Sequence, residues 1–500
     1  MRQYCSPVQD IAWNLLLIGS FAAAGAAHAD TFQFSPSITL QEVYTSDSGG
    51  GQGSNDLVTV ISPGFSLNET GPWSTVTLNY APAYNHYDFH SAPDRLDQNL
   101  NGAATITPFE KELVIDLNVY ASEAGATPNS NTLLNNLLVA SNNRVLYYTG
   151  SFVPHFTHRF GDVATLDAFY RLTSSNVSDQ SLHEAPGTSY SSDTLQQDAE
   201  IIIGSGNSFG RISAQLDFDH DVGTGSGQNT NSMNDKDFLA LQYHLNSNYA
   251  LTSSIGYQRL HYDGTSLSLP YTNEGMTWNV GVRATPNPDS LLALSYGLQE
   301  GIYVPTLQLS YSLGPRTRIT ASYLVQIQSQ LGTTLQTLQF LSYDSLGNPI
   351  DSRTGLPFSL TNQIFGSQNV LFRDKPAQVA VVHQLERSAI TLRLLYEQRS
   401  SVTGLPQRDR VSSVDLAYSR DLSPLTSGSI DFGYTTNVSS GLFSTGNTRT
   451  DLVNFTFSLT WNLGRDAFAY FNGTLYKPVL MTSQGAATID QVTLGFRKAF

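Results

Sequence analysis

Apolar and polar residues alternate with a period of two along most of this chain. Leu113, Ile115, Leu117 and Val119 alternate with Val114, Asp116, Asn118 and Tyr120. Ile212, Ala214, Leu216 and Phe218 alternate with Ser213, Gln215, Asp217 and Asp219. Val453, Phe455, Phe457, Leu459 and Trp461 alternate in the same way with Asn454, Thr456, Ser458 and Thr460. Successive side chains of a strand point to opposite faces, so each run predicts a strand with one apolar and one polar face. The runs are roughly 10 to 13 residues long, and a tilted strand needs about 9–11 to cross a bilayer.

The links between the runs sort into two kinds. Short ones recur at Glu69-Thr70-Gly71-Pro72, Pro108-Phe109-Glu110, Ser205-Gly206-Asn207-Ser208 and Thr285-Pro286-Asn287-Pro288-Asp289. Others are Leu313-Gly314-Pro315-Arg316, Glu386-Arg387-Ser388 and Leu463-Gly464-Arg465-Asp466. They carry the Gly, Pro, Asn and Asp of tight turns. Between them lie longer polar links at 46–55, 123–143, 175–192, 222–235, 329–368 and 435–450, with Glu300-Gly301 one brief link in their place. Alternating short and long links belong to an all-β transmembrane barrel, with turns on the periplasmic rim and loops on the outer rim. The expected fold is a single large antiparallel β-barrel of about 22 strands, an even count that puts both ends on the periplasmic side. With the first strand near Pro36, no N-terminal plug domain is expected. A β-sandwich does not require such alternation of links, and a solenoid would repeat every roughly 20–50 residues.

The last strand carries a second signal. Val492, Leu494, Phe496 and Phe500 share one face, and Gln491, Thr493, Gly495 and Arg497 the other. An apolar outward face ending on an aromatic residue resembles the signal read by the barrel-assembly machinery of the bacterial outer membrane. Lys498 stands where such signals usually carry an apolar residue. At the other end, Arg2 precedes an apolar run over 11–26, and Ala27-His28-Ala29 offers a small-x-small cleavage site before Asp30. Residues 1–29 are therefore expected to be a secretory signal peptide and 30–500 the barrel of a Gram-negative outer membrane. The only cysteine, Cys5, lies ahead of the apolar run, so cleavage leaves a mature chain without disulfides or thiolate metal sites.

Composition narrows the partners. Only 13% of residues are charged while 11% are aromatic, which suits a membrane barrel better than two or three soluble domains. A mean hydropathy of −0.18 conceals no spanning helix, because beyond the leader no apolar run approaches the roughly 18 residues one needs. The net charge of −15 argues against nucleic acid, whose phosphates call for clustered Lys and Arg.

Several segments resemble an outer-membrane β-barrel family found alongside PEP-CTERM and exosortase systems. They are Asp94-Arg95-Leu96-Asp97-Gln98-Asn99-Leu100-Asn101, Pro154-His155-Phe156-Thr157-His158-Arg159-Phe160-Gly161 and the terminal Val492-Thr493-Leu494-Gly495-Phe496-Arg497. The most specific is Trp278-Asn279-Val280-Gly281-Val282-Arg283-Ala284-Thr285-Pro286-Asn287-Pro288. The resemblance runs from about Pro36 to Phe500, with the long loops unmatched. It implies a role in the polysaccharide envelope or its export, and it brings no catalytic motif.

Candidate chemistry is sparse. Asp217, Asp219 and Asp221 share one strand face, which suits calcium or a solvated wall near a rim, but no Gly turn and distal Glu accompany them. His86 with His90, and His155 with His158, have zinc-like spacings. On a strand, residues three apart point to opposite faces and residues four apart are roughly 13 Å apart, so turn or interfacial histidines are expected. Gly49-Gly50-Gly51-Gln52-Gly53 precedes a strand, and no Gly-Lys-Ser/Thr follows it, so it reads as an outer loop and not a phosphate cradle. No Ser, His and Asp or Glu set stands out, so no enzyme activity, metal or cofactor is expected.

If the apolar faces meet lipid, the opposite faces line a lumen. Asp116, Asp167, Arg171, Asp217 and Asp219 take inward positions by this rule, as do Arg283, Arg393, Glu397, Asp415, Asp431 and Arg497. An Arg or Lys turned to lipid at mid-bilayer would cost about 2–4 kcal/mol. Such a wall holds water, and a barrel of this strand number is too wide for side chains alone to fill. The alternative is that these groups pair across the lumen and fill it. Loop 329–368 is the candidate constriction, with Phe340, Tyr343, Phe358 and Phe365 available to stack on sugar rings or on the wall. These features predict a porin-like channel for polar solutes or a component of exopolysaccharide export. The partners expected are outer-membrane lipid, the barrel-assembly machinery and polysaccharide. The runner-up is a non-conducting anchoring barrel that binds exopolysaccharide or an envelope partner through its loops. A TonB-dependent transporter also has 22 strands, but the expected lack of a plug argues against energy-coupled uptake.

Overall fold

In the main sheet each strand pairs antiparallel with the strands before and after it in the chain, since every turn or loop returns the chain alongside the strand it has just left. The computed structural model describes residues 31–46, 55–109, 112–125, 144–179, 192–225, 231–264, 269–329, 341–343, 349–351, 371–404, 407–440, 448–481 and 488–500. The expected signal peptide lies outside them, as does the Gly49–Gly53 run.

The sheet holds 25 strand segments among the described residues. Ser74–Tyr80 with Ala83–Tyr87, Arg95–Asp97 with Asn99–Phe109, and Thr317–Tyr323 with Gln326–Ser329 are each one barrel strand with an interruption, which leaves 22 strands around the barrel. The ring closes where Thr31–Thr45 pairs with Ile489–Ala499, in register from Ser37 opposite Ala499 to Thr45 opposite Gln491. Closure leaves no bare sheet edge, the condition for placing strands in lipid.

Exposed apolar side chains define the outer face. They include Leu216 and Phe218 on Ile212–Gly225, Met276, Val280 and Val282 on Tyr271–Ala284, and Val414 and Leu416 on Arg408–Ser423. Val492, Leu494 and Phe496 of the last strand belong to the same face. Rows continue across strands by register, as where Val280 stands opposite Tyr296 and Leu494 opposite Phe471. A continuous belt of this kind is stable against lipid and not against water. Trp278, Tyr296 and Tyr303 form an aromatic girdle on it, with Tyr303 centred 6.2 Å from Trp278 and 6.3 Å from Tyr296. Toward the loop rim the belt gives way to charge, where Arg259 lies 4.0 Å from Asp235 and 3.6 Å from Glu274.

Several strands run further than the alternation predicts. Ala164–Asp179 extends into the link expected over 175–192. Ile212–Gly225 and Ser232–His244 consume most of 222–235, and Thr426–Ser440 and Thr448–Gly464 most of 435–450. Beyond the bilayer nothing requires an apolar outer face, so backbone pairing continues through residues polar on both faces. The brief link at Glu300-Gly301 is a tight hairpin between Leu291–Gln299 and Ile302–Ser312. Both of its residues are left-handed, with φ of 52° and 76°, as a two-residue turn matching the twist of its strands requires. At the last strand Lys498 points outward at the turn rim, opposite Ile38, and its ammonium donates to the Arg465 carbonyl, so the charge meets a polar turn and not lipid.

Candidate functional site in the barrel lumen

The face opposite the apolar belt is mostly polar and charged. Register puts Asp116, Asp167, Arg171, Asp217, Asp219 and Arg283 on it, together with Arg393, Glu397, Asp415, Asp431 and Arg497. Many of them are held by neighbours on the same face. Thr105 and Thr157 donate hydroxyl hydrogen bonds of 2.6 Å to Asp116 and Asp167. Arg393 lies 3.4 Å from Asp415, which also accepts from Ser413 at 3.2 Å. Arg283, between Ala250 and Ala293, is exposed on the inner side.

Six more charged residues join this face beyond those the alternation picks out: Asp198, Glu200, Lys236, Asp374, Arg399 and Asp409. On one wall, strands Ser192–Ser205 and Ile212–Gly225 set Asp198 opposite Asp221 and Glu200 opposite Asp219, with Asp217 facing Ile202. Five carboxylates thus share two adjacent strands. Their local bases are Lys236, opposite Asp219, and Arg171, 3.1 Å from Asp198. Gln196 donates to Asp221 at 2.9 Å. The consecutive apolar residues Ile201-Ile202-Ile203 blur the alternation here and conceal Asp198 and Glu200 from the sequence pattern.

A second set lies near the loop rim. Arg399 is 3.3 Å from Asp409, both side chains 3% exposed. Asp409 also accepts from Gln407 at 2.9 Å and from Ser439 at 2.6 Å. The guanidinium sits over the Phe372 ring, 4.4 Å from its centre. Asp374 and Glu397 are buried beside it, so this guanidinium lies among three carboxyl groups. Across the barrel seam Val43, Val58, Val60 and Tyr87 pack on the inner face. Over all, inward carboxylates outnumber inward bases among the described residues.

The histidine pairs divide. His155 faces inward, 3.5 Å from Asp167, while His158 faces outward, 3.0 Å from Glu112 and 4.6 Å centre to centre from the Phe160 ring. His86 and His90 come closer than strand rise allows, with ring centres 6.5 Å apart. The strand ends at Tyr87, and His90 turns back with φ 59°, its N–H on the Tyr87 carbonyl at 3.0 Å. Among the described residues no group of three or more His, Cys, Asp or Glu is arranged to hold a metal. Phe340, Phe358 and Phe365 of the expected constriction lie outside the described residues, and Tyr343 belongs to a small separate hairpin, Leu341–Tyr343 with Pro349–Asp351.

No family model matches the chain, and no curated protein is similar to it in sequence. Solved structures of similar fold include the FrpB iron transporter from Neisseria meningitidis (F5-1 variant, apoprotein form). It is 11% identical with a TM-score of 0.54, over 96% of this chain and 83% of that one. The siderophore receptor PirA from Acinetobacter baumannii is 7% identical with a TM-score of 0.52, over 94% of this chain and 81% of that one. The fold is thus a large β-barrel of the outer-membrane type.

Proposed function

We propose that this barrel sits in the outer membrane of a Gram-negative bacterium, delivered by a cleaved leader, and passes polar solutes through its lumen with a preference for cations. The observation that carries this reading is the two-faced wall. Its outer face suits lipid, and its inner face carries charge of both signs with carboxylates in excess. Fixed charge in a wet passage concentrates counter-ions and repels co-ions. The fold shared with an iron transporter and a siderophore receptor supports transport as the general role. The resemblance to barrels of PEP-CTERM systems supports saccharides of the envelope as a solute class, and the protein acts by passage and not by catalysis.

A second reading, the anchoring barrel, is favoured by the packed inner surface near the loop rim, where Val43, Val58, Tyr87, Arg399 and Asp409 are buried. Single-channel recording of the refolded chain in a planar bilayer separates the two, with a variant lacking 330–368 alongside. Conducting steps with cation preference are expected, larger in the deletion. Silence from both proteins, shown to be folded, overturns the channel and leaves polysaccharide binding as the test of the anchor.

A further inference from the structure

The outer face is not uniform around the ring. From strand Leu371–Gln384 to strand Thr448–Gly464, three of the five residues pointing outward just beyond the apolar belt are basic: Lys375, Arg410 and Arg449. Lys375 stands opposite Gln398, Gln398 opposite Arg410, Arg410 opposite Val438, and Val438 opposite Arg449, so one row crosses five strands. Arg408 stands one row further toward the loops, opposite Ser400 and Ser440. Arg408 and Arg410 are exposed and Lys375 partly so. The acids next to them in sequence, Asp374 and Asp409, are the inward residues of the alternation and are buried.

Two rows nearer mid-membrane the same strands present Val379, Leu394, Val414, Tyr434 and Val453, which places the basic row directly above the lipid-facing belt. Among the described outward residues of this sector the one acid is Asp451, held by Arg449 through two hydrogen bonds of 2.9 Å. Lys375, Arg408 and Arg410 form no ion pair among the described residues. Elsewhere at this level, on strands Ile212–Gly225 to Tyr271–Ala284, Arg259 is answered by Asp235 and Glu274.

A base that emerges outward above lipid-facing residues reaches the headgroup layer of the surrounding leaflet. Three such bases without acids repel one another until an anion is placed between them. Lys375 and Arg410 are two strand spacings apart, about 10 Å, with the Gln398 amide between them as a neutral donor. We propose that this sector is a docking site for the phosphate groups of a phosphorylated lipid in the outer leaflet, which fixes the barrel's orientation toward that lipid. The site lies outside the lumen, so it stands or falls independently of conduction.

Native mass spectrometry of the full chain in detergent tests this, with a diphosphorylated disaccharide lipid as probe and the dephosphorylated lipid as reference. Each base near a headgroup layer is worth about fivefold. The variant Lys375→Ser/Arg408→Ser/Arg410→Ser should therefore lose roughly a hundredfold of the preference for the phosphorylated lipid. Lys375→Arg/Arg408→Lys/Arg410→Lys should keep it. Heat-modifiable gel mobility checks that each variant is a folded barrel. The proposal is overturned if the folded serine variant keeps the preference, or if wild type has none. Equal binding of the acyl-free disaccharide diphosphate would also overturn it, by pointing to a soluble phosphate ligand.

Discussion

Replacing Arg399 with methionine removes the guanidinium that pairs with Asp409 and lies beside Asp374 and Glu397. Methionine keeps much of the volume and the contact with Phe372, so the loss is electrostatic. Removing one partner of a buried pair costs about 3–5 kcal/mol, because the remaining charge is left without compensation. Asp409→Asn is milder. Its amide oxygen still accepts from Gln407 and Ser439, and Asp374 and Glu397 remain for Arg399, so about 1–2 kcal/mol is expected. The double variant Arg399→Met/Asp409→Asn should be about 1–2 kcal/mol more stable than Arg399→Met alone, since it has one orphaned carboxylate fewer. Equilibrium urea unfolding in lipid vesicles, followed by tryptophan fluorescence and gel mobility, measures all three. Equal costs for the two single variants, or a cost under about 1 kcal/mol for Arg399→Met, would refute Arg399 as the base that balances this cluster.

Three further outcomes are expected. In Glu200→Gln/Asp217→Asn/Asp219→Asn each lost carboxylate removes roughly 0.5 kcal/mol of attraction for a cation about 8 Å away in water, before screening. The cation-over-anion permeability, read as a reversal potential under a salt gradient, should fall roughly tenfold at low salt and change little at 1 M. Val280→Arg should cost about 2–4 kcal/mol and the inward Thr277→Arg much less; equal costs in urea titrations would reverse the face assignment. Asp94, in the link between Ala83–Tyr87 and Arg95–Asp97, accepts hydrogen bonds from His86, Tyr84 and the Tyr87 N–H, which hold its carboxyl down at about 2. A depressed carboxyl stabilises the fold above its unfolded value of 3.8 and loses that contribution as pH falls through about 2. Hydrogen exchange at the Tyr87 amide should therefore be faster in Asp94→Ala than in wild type at pH 5, with the gap closing toward pH 2.

The barrel is largely legible in the sequence because lipid imposes the strict condition that every second residue be apolar. Leu216 and Phe218 against Gln215, Asp217 and Asp219 are enough to sort two faces. Where that condition lapses, the pattern lapses too. In Arg408-Asp409-Arg410 both faces are charged, so nothing in the alternation marks Asp409 as inward, and its pairing with Arg399 follows only from register across two strands. The approach of His86 to His90 depends on one left-handed residue after Tyr87, a backbone choice that His permits but does not announce. The five-carboxylate wall needs the pairing of Glu200 with Asp219, a relation between strands that no run of residues contains.

The seam between Thr31–Thr45 and Ile489–Ala499 sets the order of assembly. The other joints of the ring are between strands consecutive in the chain, whereas this one joins strands from opposite ends of the described chain. A hundredfold longer closure loop costs about 4 kcal/mol more in chain entropy, so the seam forms last, on a sheet already built from local hairpins. Until it forms, two edges of bare N–H and C=O groups face the bilayer, where each unpaired group costs several kcal/mol. Between the hairpinned sheet and the closed ring there is no stable halfway state in lipid. A chain held open at that point would find its easiest partner in the matching edge of a second copy, so slowing the seam should yield edge-paired dimers before it yields unfolded monomer.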